Sequence, residues 1–217
     1  MPKLGMGPIR REQICRAAAR VISEQGFAGT TMRMVAEEAG VSTGMLNHYY
    51  SNRMEMLEDT LVFVSERQQA RESAAVDGIP PGEQRLRALV RSVLPTDQDS
   101  TEAWRVWIAA HGASVRLSEL RRVMAARNDL WFEILQRGLE GILPAGVREK
   151  LPYSWQLDAL MNGLVIQAIT SEASIKFKDI EDVVVQTALE HGQVMSNGGT
   201  RPASPASSRA HARPSAP

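Results

Sequence analysis

The sequence predicts an all-α protein of about nine helices, arranged as two domains and a tail. Apolar residues recur three and four positions apart over most of residues 10–195, as they do along one face of a helix. Glycine- and proline-containing breaks separate these stretches, and we find no convincing strand among them. We expect a small domain over residues 1–57, a larger domain over residues 58–195 and a disordered tail over residues 196–217.

The first helix is predicted from Arg10 to Gly26, where the glycine ends it. Cys15 lies on the expected inner side of this helix. Because it is the only cysteine in the chain, an internal disulfide is excluded. We interpret Cys15 as a small core residue rather than a sensor thiol.

The segment from Thr30 to Leu57 predicts two short helices, a tight turn between them and the start of a third helix. Gly40 supplies the left-handed residue that ends the first, and Met45 and Leu46 are expected to point inward from the second. Side chains that can cap the three helices are available in pairs: Thr30 or Thr31, Ser42 or Thr43, and Ser51 or Asn52. This arrangement is typical of a helix-turn-helix, whose second helix enters the major groove of DNA.

The run GVSTG, the following HYY and a basic residue before MEML resemble the DNA-binding domain of the tetracycline-repressor (TetR) family. The resemblance implies that outward residues of the second helix touch bases and that Arg53, opening the next helix, grips the DNA backbone. The implied base contacts are Thr43, Gly44, Asn47 and His48. The implied phosphate contacts are Thr31, Tyr49 and Arg53, and Arg33 serves either role.

Two positions depart from the family pattern. The family usually has lysine at Arg53, and arginine keeps the charge while adding the geometry for bidentate phosphate contact. The family often has tyrosine at Asn47, and asparagine pairs well with adenine. The alternative for the whole segment is a helical hairpin in an ordinary all-α protein.

The chain has no net charge, but its first 20 residues hold five basic residues against one acidic residue. Such an arm beside a helix-turn-helix can lie along phosphates or reach into the minor groove. The alternative is a solvated start of the chain that binds no partner.

Further helices are predicted for the larger domain over residues 53–75, 83–94, 101–115, 118–143, 152–171 and 180–195, with Ser100 and Asp179 as two of the caps. The resemblance implies that the last two helices pair with their copies in a homodimer. Two apolar stripes are available for that interface: Leu157, Leu160, Met161, Leu164, Val165 and Ala168 on one helix, and Val183, Val184, Thr187, Ala188 and His191 on the other. The alternative is that both stripes face the core of their own chain. A two-fold dimer predicts double-stranded operator DNA with a near-palindromic sequence.

All four tryptophans lie in the larger domain. Trp104 and Trp107 share a helix face, and Trp131 lies midway along the next long helix. Converging aromatic faces attract a quaternary or alkyl ammonium, whose charge Glu102 or Glu133 could offset. The alternative is that these tryptophans are ordinary core packing.

The opening MPKLGM, the following IRREQI and the stretch AWRVWIA resemble BetI-type repressors, which control choline oxidation and respond to choline. The resemblance implies a homodimeric repressor that leaves its operator when choline, or a related compound, binds near Trp104, Trp107 and Trp131. A ligand that promotes DNA binding remains an alternative, as does an effector unrelated to choline.

We predict no catalytic residue, no cofactor and no metal site. The histidines are dispersed, and no nucleophile–base pair or glycine-rich phosphate loop occurs. A helical enzyme using His111, Glu102 or Asp158 is the distant alternative. Neither an apolar run of membrane-spanning length nor a secretion signal is found, so we expect a cytoplasmic protein with no membrane partner.

Overall fold

The computed structural model describes residues 6–144, 150–171 and 175–197, which form nine α-helices and no strand. The all-α prediction is confirmed. The helices are α1 Met6–Gly29, α2 Met32–Glu38, α3 Thr43–Tyr49, α4 Arg53–Val76, α5 Glu83–Val93, α6 Gln98–Ser114, α7 Ser118–Gly138, α8 Lys150–Thr170 and α9 Phe177–Ser196. The first five residues of the basic arm and the tail from residue 198 lie outside the described residues, and the domain limits stay predictions.

Several helix ends differ from the sequence prediction. Gly26 interrupts the helix as expected, with a positive φ of 66°, yet the chain resumes helix to Gly29. The cap of α6 is Asp97 rather than Ser100, because the two form a reciprocal capping box in which the Asp97 carboxylate accepts from the Ser100 N–H at 2.7 Å. Helix α7 ends at Gly138, five residues before the expected Leu143, since the chain turns at Gly141 (φ 78°).

Each predicted pair of cap residues supplies one cap of the helix-turn-helix: Thr31, Ser42 and Asn52. Thr31 accepts from the Met34 N–H, Ser42 from the Met45 N–H and Asn52 from the Glu55 N–H, at distances of 3.2, 3.1 and 3.0 Å. Gly40 lies between α2 and α3 with φ 64°. These local interactions set the angle between the two short helices.

Two hydrophobic clusters form the core, and α4 connects them. The first packs α1 to α3 against the beginning of α4 and against α6, around Ile14, Leu46 and Leu57. The second packs α5 to α9 together, around Leu89 and Val185. Helix α4 packs on α1, α5, α6 and α7, so one helix runs from the N-terminal domain into the larger one.

The stripes predicted for the dimer interface are partly buried within the chain's own core. Leu157, Met161, Val165, Val184 and Ala188 are each less than 4% exposed. For these five the interface interpretation is wrong, because α8 and α9 pack on each other and α5 and α7 cover their remaining inner faces. The large apolar residues that stay exposed on the two helices are Trp155, Ile166, Val183 and Val194, and of these only Val183 belongs to a predicted stripe.

None of the helices in the described part of the chain is both long and apolar enough to span a lipid bilayer.

Helix α9 approaches the turn after α7 so closely that position 192 has no room for a side chain. A Cβ at Gly192 would collide with the carbonyl oxygen of Ile142, whereas a Cβ at Gly112 in α6 would meet no atom within 4 Å. We expect Gly192→Ala to lower the free energy of unfolding by about 1–3 kcal/mol. The matched change Gly112→Ala is expected to raise it by up to about 1 kcal/mol. Denaturant unfolding followed by circular dichroism at one protein concentration measures both, and equal effects would contradict the close approach.

Candidate DNA-binding surface and effector cavity

The base-facing candidates lie together on the outer side of α3. Thr43, Gly44, Asn47 and His48 are all exposed, while Leu46 on the opposite side is completely buried. The inward orientation expected for Met45 is wrong, since its side chain is 39% exposed. Adjacent residues point about 100° apart on a helix, and in so short a helix only Leu46 reaches the core.

The phosphate-contact candidates flank this surface. Thr31 is exposed, and its hydroxyl also caps α2. Arg33 is exposed and pairs with Glu37 one turn further along α2 at 2.8 Å. Tyr49 is half-buried, with its ring edge-on to that of His48. The structure thus brings all these residues to one end of the molecule, and their DNA contacts stay predictions.

Arg53 has contacts that the sequence did not indicate. Its guanidinium donates to the carbonyl oxygens of Phe27 and Thr30 at the end of α1, the latter at 2.5 Å. A cation in this place satisfies free carbonyls and complements the negative end of the helix. Arg53 therefore holds α1 against α4, and any phosphate contact would come from its remaining N–H groups.

A polar cluster beneath α3 fixes the orientation of the helix-turn-helix. Asp59 on α4 accepts from Arg11 through both oxygens, at 2.6 and 2.7 Å, and from the Tyr50 hydroxyl at 2.5 Å. Burial tends to raise the pKa of Asp59, but the hydrogen bonds from Arg11, Tyr50 and Cys15 lower it below its ordinary value. The cluster joins α1, the end of α3 and α4.

Cys15 belongs to the same cluster and lies in the core as predicted, with 2% of its surface exposed. Its thiol lies 3.3 Å from Asp59 and 3.4 Å from the Tyr50 hydroxyl. Burial raises the pKa of the Cys15 thiol to about 12, so the reactive thiolate does not form near neutral pH.

A cavity of about 430 Å³ lies between α4, α6, α7 and α8. The three tryptophans predicted to bind an effector, Trp104, Trp107 and Trp131, all line it, whereas Trp155 does not. This volume falls within the usual range of small-ligand sites. Trp104 is held in place by its indole N–H, which donates to the Val93 carbonyl at 2.7 Å.

The acidic residues of the cavity are not those suggested by the sequence. Glu133 is exposed on α7, and Glu102 lines a separate small hollow between α1, α4 and α6. The carboxylates that line the cavity belong instead to Glu72 and Asp158. Both come from helices distant in sequence from the tryptophans, so neither could be assigned to this site from spacing alone.

Asp158 is held by two donors. The Trp131 indole N–H donates to one of its oxygens at 2.7 Å, and the Asn162 amide donates to the other at 2.9 Å. Burial raises the pKa of Asp158, and these two hydrogen bonds counteract part of that rise. Asp158 forms no ion pair with any residue that the structure describes, and so it is available to a cationic ligand.

Glu72 is paired with a positive charge of the chain itself. The Nη2 atom of Arg127 on α7 lies 2.5 and 2.7 Å from the two carboxylate oxygens of Glu72 on α4. The pair is buried, with 1% of Glu72 and 8% of Arg127 exposed. The guanidinium also lies 5.9 Å from the ring centres of both Trp107 and Trp131. Two of the predicted aromatic faces are therefore already next to a cation of the chain itself, which the sequence analysis did not predict.

Helix α4 connects the helix-turn-helix to the cavity, since it begins with Arg53 and carries Glu72. A helix-turn-helix surface at one end, an apolar cavity containing few charges at the other and a single helix that contacts both define a ligand-controlled DNA-binding regulator.

Comparisons with known families agree with this class. Residues 14–60 match the family of bacterial regulatory proteins named after tetR, and residues 81–191 match the C-terminal domain of BetI-type transcriptional repressors. The transcriptional regulator BetI of Burkholderia thailandensis is 34% identical over 168 residues, which cover 76% of this chain and 84% of that protein. BetI of Klebsiella pneumoniae is 30% identical and covers 88% of this chain and 95% of its own length.

Solved structures share the fold. A regulator from Saccharomonospora viridis, crystallised in complex with choline, is 21% identical and superimposes with a TM-score of 0.75 over 85% of this chain and 97% of its own. A regulator from a Rhodococcus species is 27% identical, with a TM-score of 0.73 over 83% of this chain and 96% of its own. The chain belongs to the TetR family and is a BetI-type transcriptional repressor, not an enzyme. Members of this family bind operator DNA, act as dimers and bind small-molecule effectors.

The hydroxyl of Tyr50 distinguishes it from the neighbouring Tyr49, because it donates to the partly buried Asp59. We expect Tyr50→Phe to lower the free energy of unfolding by about 1–3 kcal/mol, the cost of removing a hydrogen bond from a charged group. Tyr49→Phe is the matched control and should leave unfolding nearly unchanged. Thermal and denaturant unfolding of the two variants test this prediction. Equal stabilities would show that the hydrogen bond from Tyr50 to Asp59 does not stabilise the fold.

Proposed function

We propose that this repressor holds a near-palindromic operator as a two-fold dimer and releases it when choline or a related quaternary amine enters the cavity. The observation that carries the proposal is the combination of three tryptophans with Asp158, a carboxylate without a cationic partner among the described residues. The outer side of α3 would read the bases of each half-site through Thr43, Gly44, Asn47 and His48.

The chemistry of the cavity suits a quaternary ammonium. Such a cation cannot donate hydrogen bonds, so it is recognised by aromatic faces and by an opposite charge. Each aromatic contact contributes about 0.5–2 kcal/mol, the larger values applying where water is excluded. Trp104, Trp107 and Trp131 supply the rings, and Asp158 supplies the charge. The choline complex of the Saccharomonospora viridis regulator, which has the same fold, supports this ligand class.

Release requires that the effector prefer a conformation in which the two DNA-reading helices no longer match their half-sites. Helix α4 is the element that we expect to move, because it contacts the cavity through Glu72 and the N-terminal domain through Arg53 and Asp59. A small tilt of α4 would change the separation of the two recognition helices in the dimer.

The proposal is tested by the fluorescence anisotropy of a labelled duplex, taken from the region immediately upstream of this protein's gene and titrated with protein at fixed salt. We expect tight binding that millimolar choline abolishes. Tight binding that choline leaves unchanged would support the operator-binding role and contradict choline as the effector. A thermal-shift screen would then be used to find another ligand.

Asp158 provides a sharper test of the effector. We expect Asp158→Asn to raise the choline concentration needed for half-release at least about tenfold, because the cation loses its counter-charge. Operator affinity without choline should change little. The matched control is Asp129→Asn, at an exposed position of α7 outside the cavity. An equal choline response in both variants would show that the cation binds elsewhere.

The DNA-facing residues are expected to differ in what they recognise. Asn47→Ala should relax preference at one base pair in each half-site, with a loss of about 1–3 kcal/mol at that position. Arg53→Ala should instead weaken binding to all sequences and reduce its dependence on salt. Binding to a panel of single-substitution operators at two salt concentrations separates the two patterns. A uniform loss for Asn47→Ala would contradict its base-reading role. Because Arg53 also holds α1, unfolding of its variant is measured alongside.

A further inference from the structure

Arg127 has two nitrogen atoms without an acceptor, although its side chain is more than nine-tenths buried. Both hydrogen bonds to Glu72 come from Nη2, and neither Nε nor Nη1 has a partner within the described part of the chain. Buried polar groups in native proteins are nearly always hydrogen-bonded, since leaving a charged donor unpaired is costly. We therefore expect Nε and Nη1 to donate hydrogen bonds to an acceptor outside the described part of the chain.

A molecule inside the cavity could supply this acceptor. Arg127 lines the cavity, and neither of the two carboxylates near it forms a hydrogen bond with Nε or Nη1. Glu72 accepts from Nη2, and Asp158 accepts from Trp131 and Asn162. The rings of Trp107 and Trp131 flank the guanidinium, and Trp107 is the more exposed of the two. Both nitrogen atoms are themselves shielded, so a ligand oxygen reaches them only if a neighbouring side chain such as Trp107 moves.

We infer that the effector carries an oxygen acceptor beside its cationic head, and that Arg127 is the residue that selects for this oxygen. The inference rests on the proposed function, because it concerns the second group of the same ligand. The cationic head lies against the tryptophan faces and Asp158. The oxygen accepts from Nε or Nη1 of Arg127. A purely alkyl ammonium fills the first part of this site and leaves Arg127 unsatisfied.

The charges in the cavity favour a neutral oxygen. With Glu72 and Asp158 ionised, the two carboxylates and the Arg127 guanidinium together carry one negative charge. A ligand with a single positive charge therefore makes the net charge of the cavity zero. A hydroxyl or carbonyl oxygen keeps the ligand at that charge. A carboxylate would bring a further negative charge close to Glu72. The preferred class is therefore an ammonium compound with a nearby hydroxyl or carbonyl group, ahead of a zwitterion.

Isothermal titration calorimetry of the full-length protein tests the inference without any mutation. The ligands are choline, propyltrimethylammonium, in which a methyl group replaces the hydroxyl, and glycine betaine, which carries a carboxylate. We expect choline to bind at least about tenfold more tightly than propyltrimethylammonium, because the latter offers no acceptor to a buried cationic donor. Glycine betaine should also bind less tightly than choline. Equal affinities for choline and propyltrimethylammonium would overturn the role of Arg127, and tighter binding of glycine betaine would overturn the preference for a neutral oxygen.

A paired substitution assigns the discrimination to Arg127. Arg127→Met combined with Glu72→Gln removes the guanidinium without leaving a buried carboxylate unpaired. The ratio of choline to propyltrimethylammonium affinity should fall to about one. The matched control is Arg137→Met with Asp77→Asn, which removes an exposed ion pair between α7 and the end of α4, at 2.6 Å, and should keep the ratio. A ratio unchanged in the Arg127 variant would overturn the inference.

The ligand series also separates the inference from the proposed function on which it rests. If choline and its hydroxyl-free analogue both release the operator equally well, the choline-responsive repressor stands and only the selection by Arg127 fails. If neither ligand binds, the proposed effector fails and the inference fails with it.

Discussion

The ion pair between Glu72 and Arg127 sets the position of α4, the helix that connects the cavity to the helix-turn-helix. It joins α4 to α7 inside the protein, where both side chains are more than nine-tenths buried. Removing one partner of such a pair leaves an uncompensated buried charge, at a cost of about 3–5 kcal/mol. The pair therefore fixes where α4 crosses the cavity. From that crossing the helix continues unbroken to Arg53, about 28 Å away along its axis.

Several hydrogen bonds tie the N-terminal domain to the far end of α4. Arg53 binds the last carbonyls of α1, and Asp59 receives hydrogen bonds from Arg11 and Tyr50. These contacts connect α1, α3 and α4 through charge-assisted hydrogen bonds, which are stronger than neutral ones. A change in the direction of α4 would then carry the whole DNA-facing surface with it. That is the property a ligand-controlled repressor requires.

Ring contacts and hydrogen bonds hold the side chains that line the cavity. Trp107 and Trp131 hold the guanidinium of Arg127 against their faces, and Trp131 and Asn162 hold the carboxylate of Asp158. The hydrogen bonds between Trp131, Asn162 and Asp158 restrain these side chains, which lowers the entropic cost of binding a ligand beside them. An ammonium ligand in this site shares its aromatic faces with Arg127, whose other contact is Glu72 on α4. Occupancy of the cavity and the position of α4 therefore involve the same side chains.

The sequence by itself determined the features that depend on residues within about four positions of one another. The turn at Gly40, the shared helix face of Trp104 and Trp107 and the helix-turn-helix with its family resemblance follow from short spacings. The same spacings narrowed each cap of the helix-turn-helix to two neighbouring residues, between which the structure chose Thr31, Ser42 and Asn52. The tertiary structure decided which charges meet the tryptophans, since Glu72 lies 55 residues from Arg127 and Asp158 lies 27 residues from Trp131. It also decided which stripe of α8 and α9 is buried and that Arg53 binds the end of α1. Helical periodicity shows that a face is apolar or charged, but only the packing of helices distant in sequence shows what that face contacts.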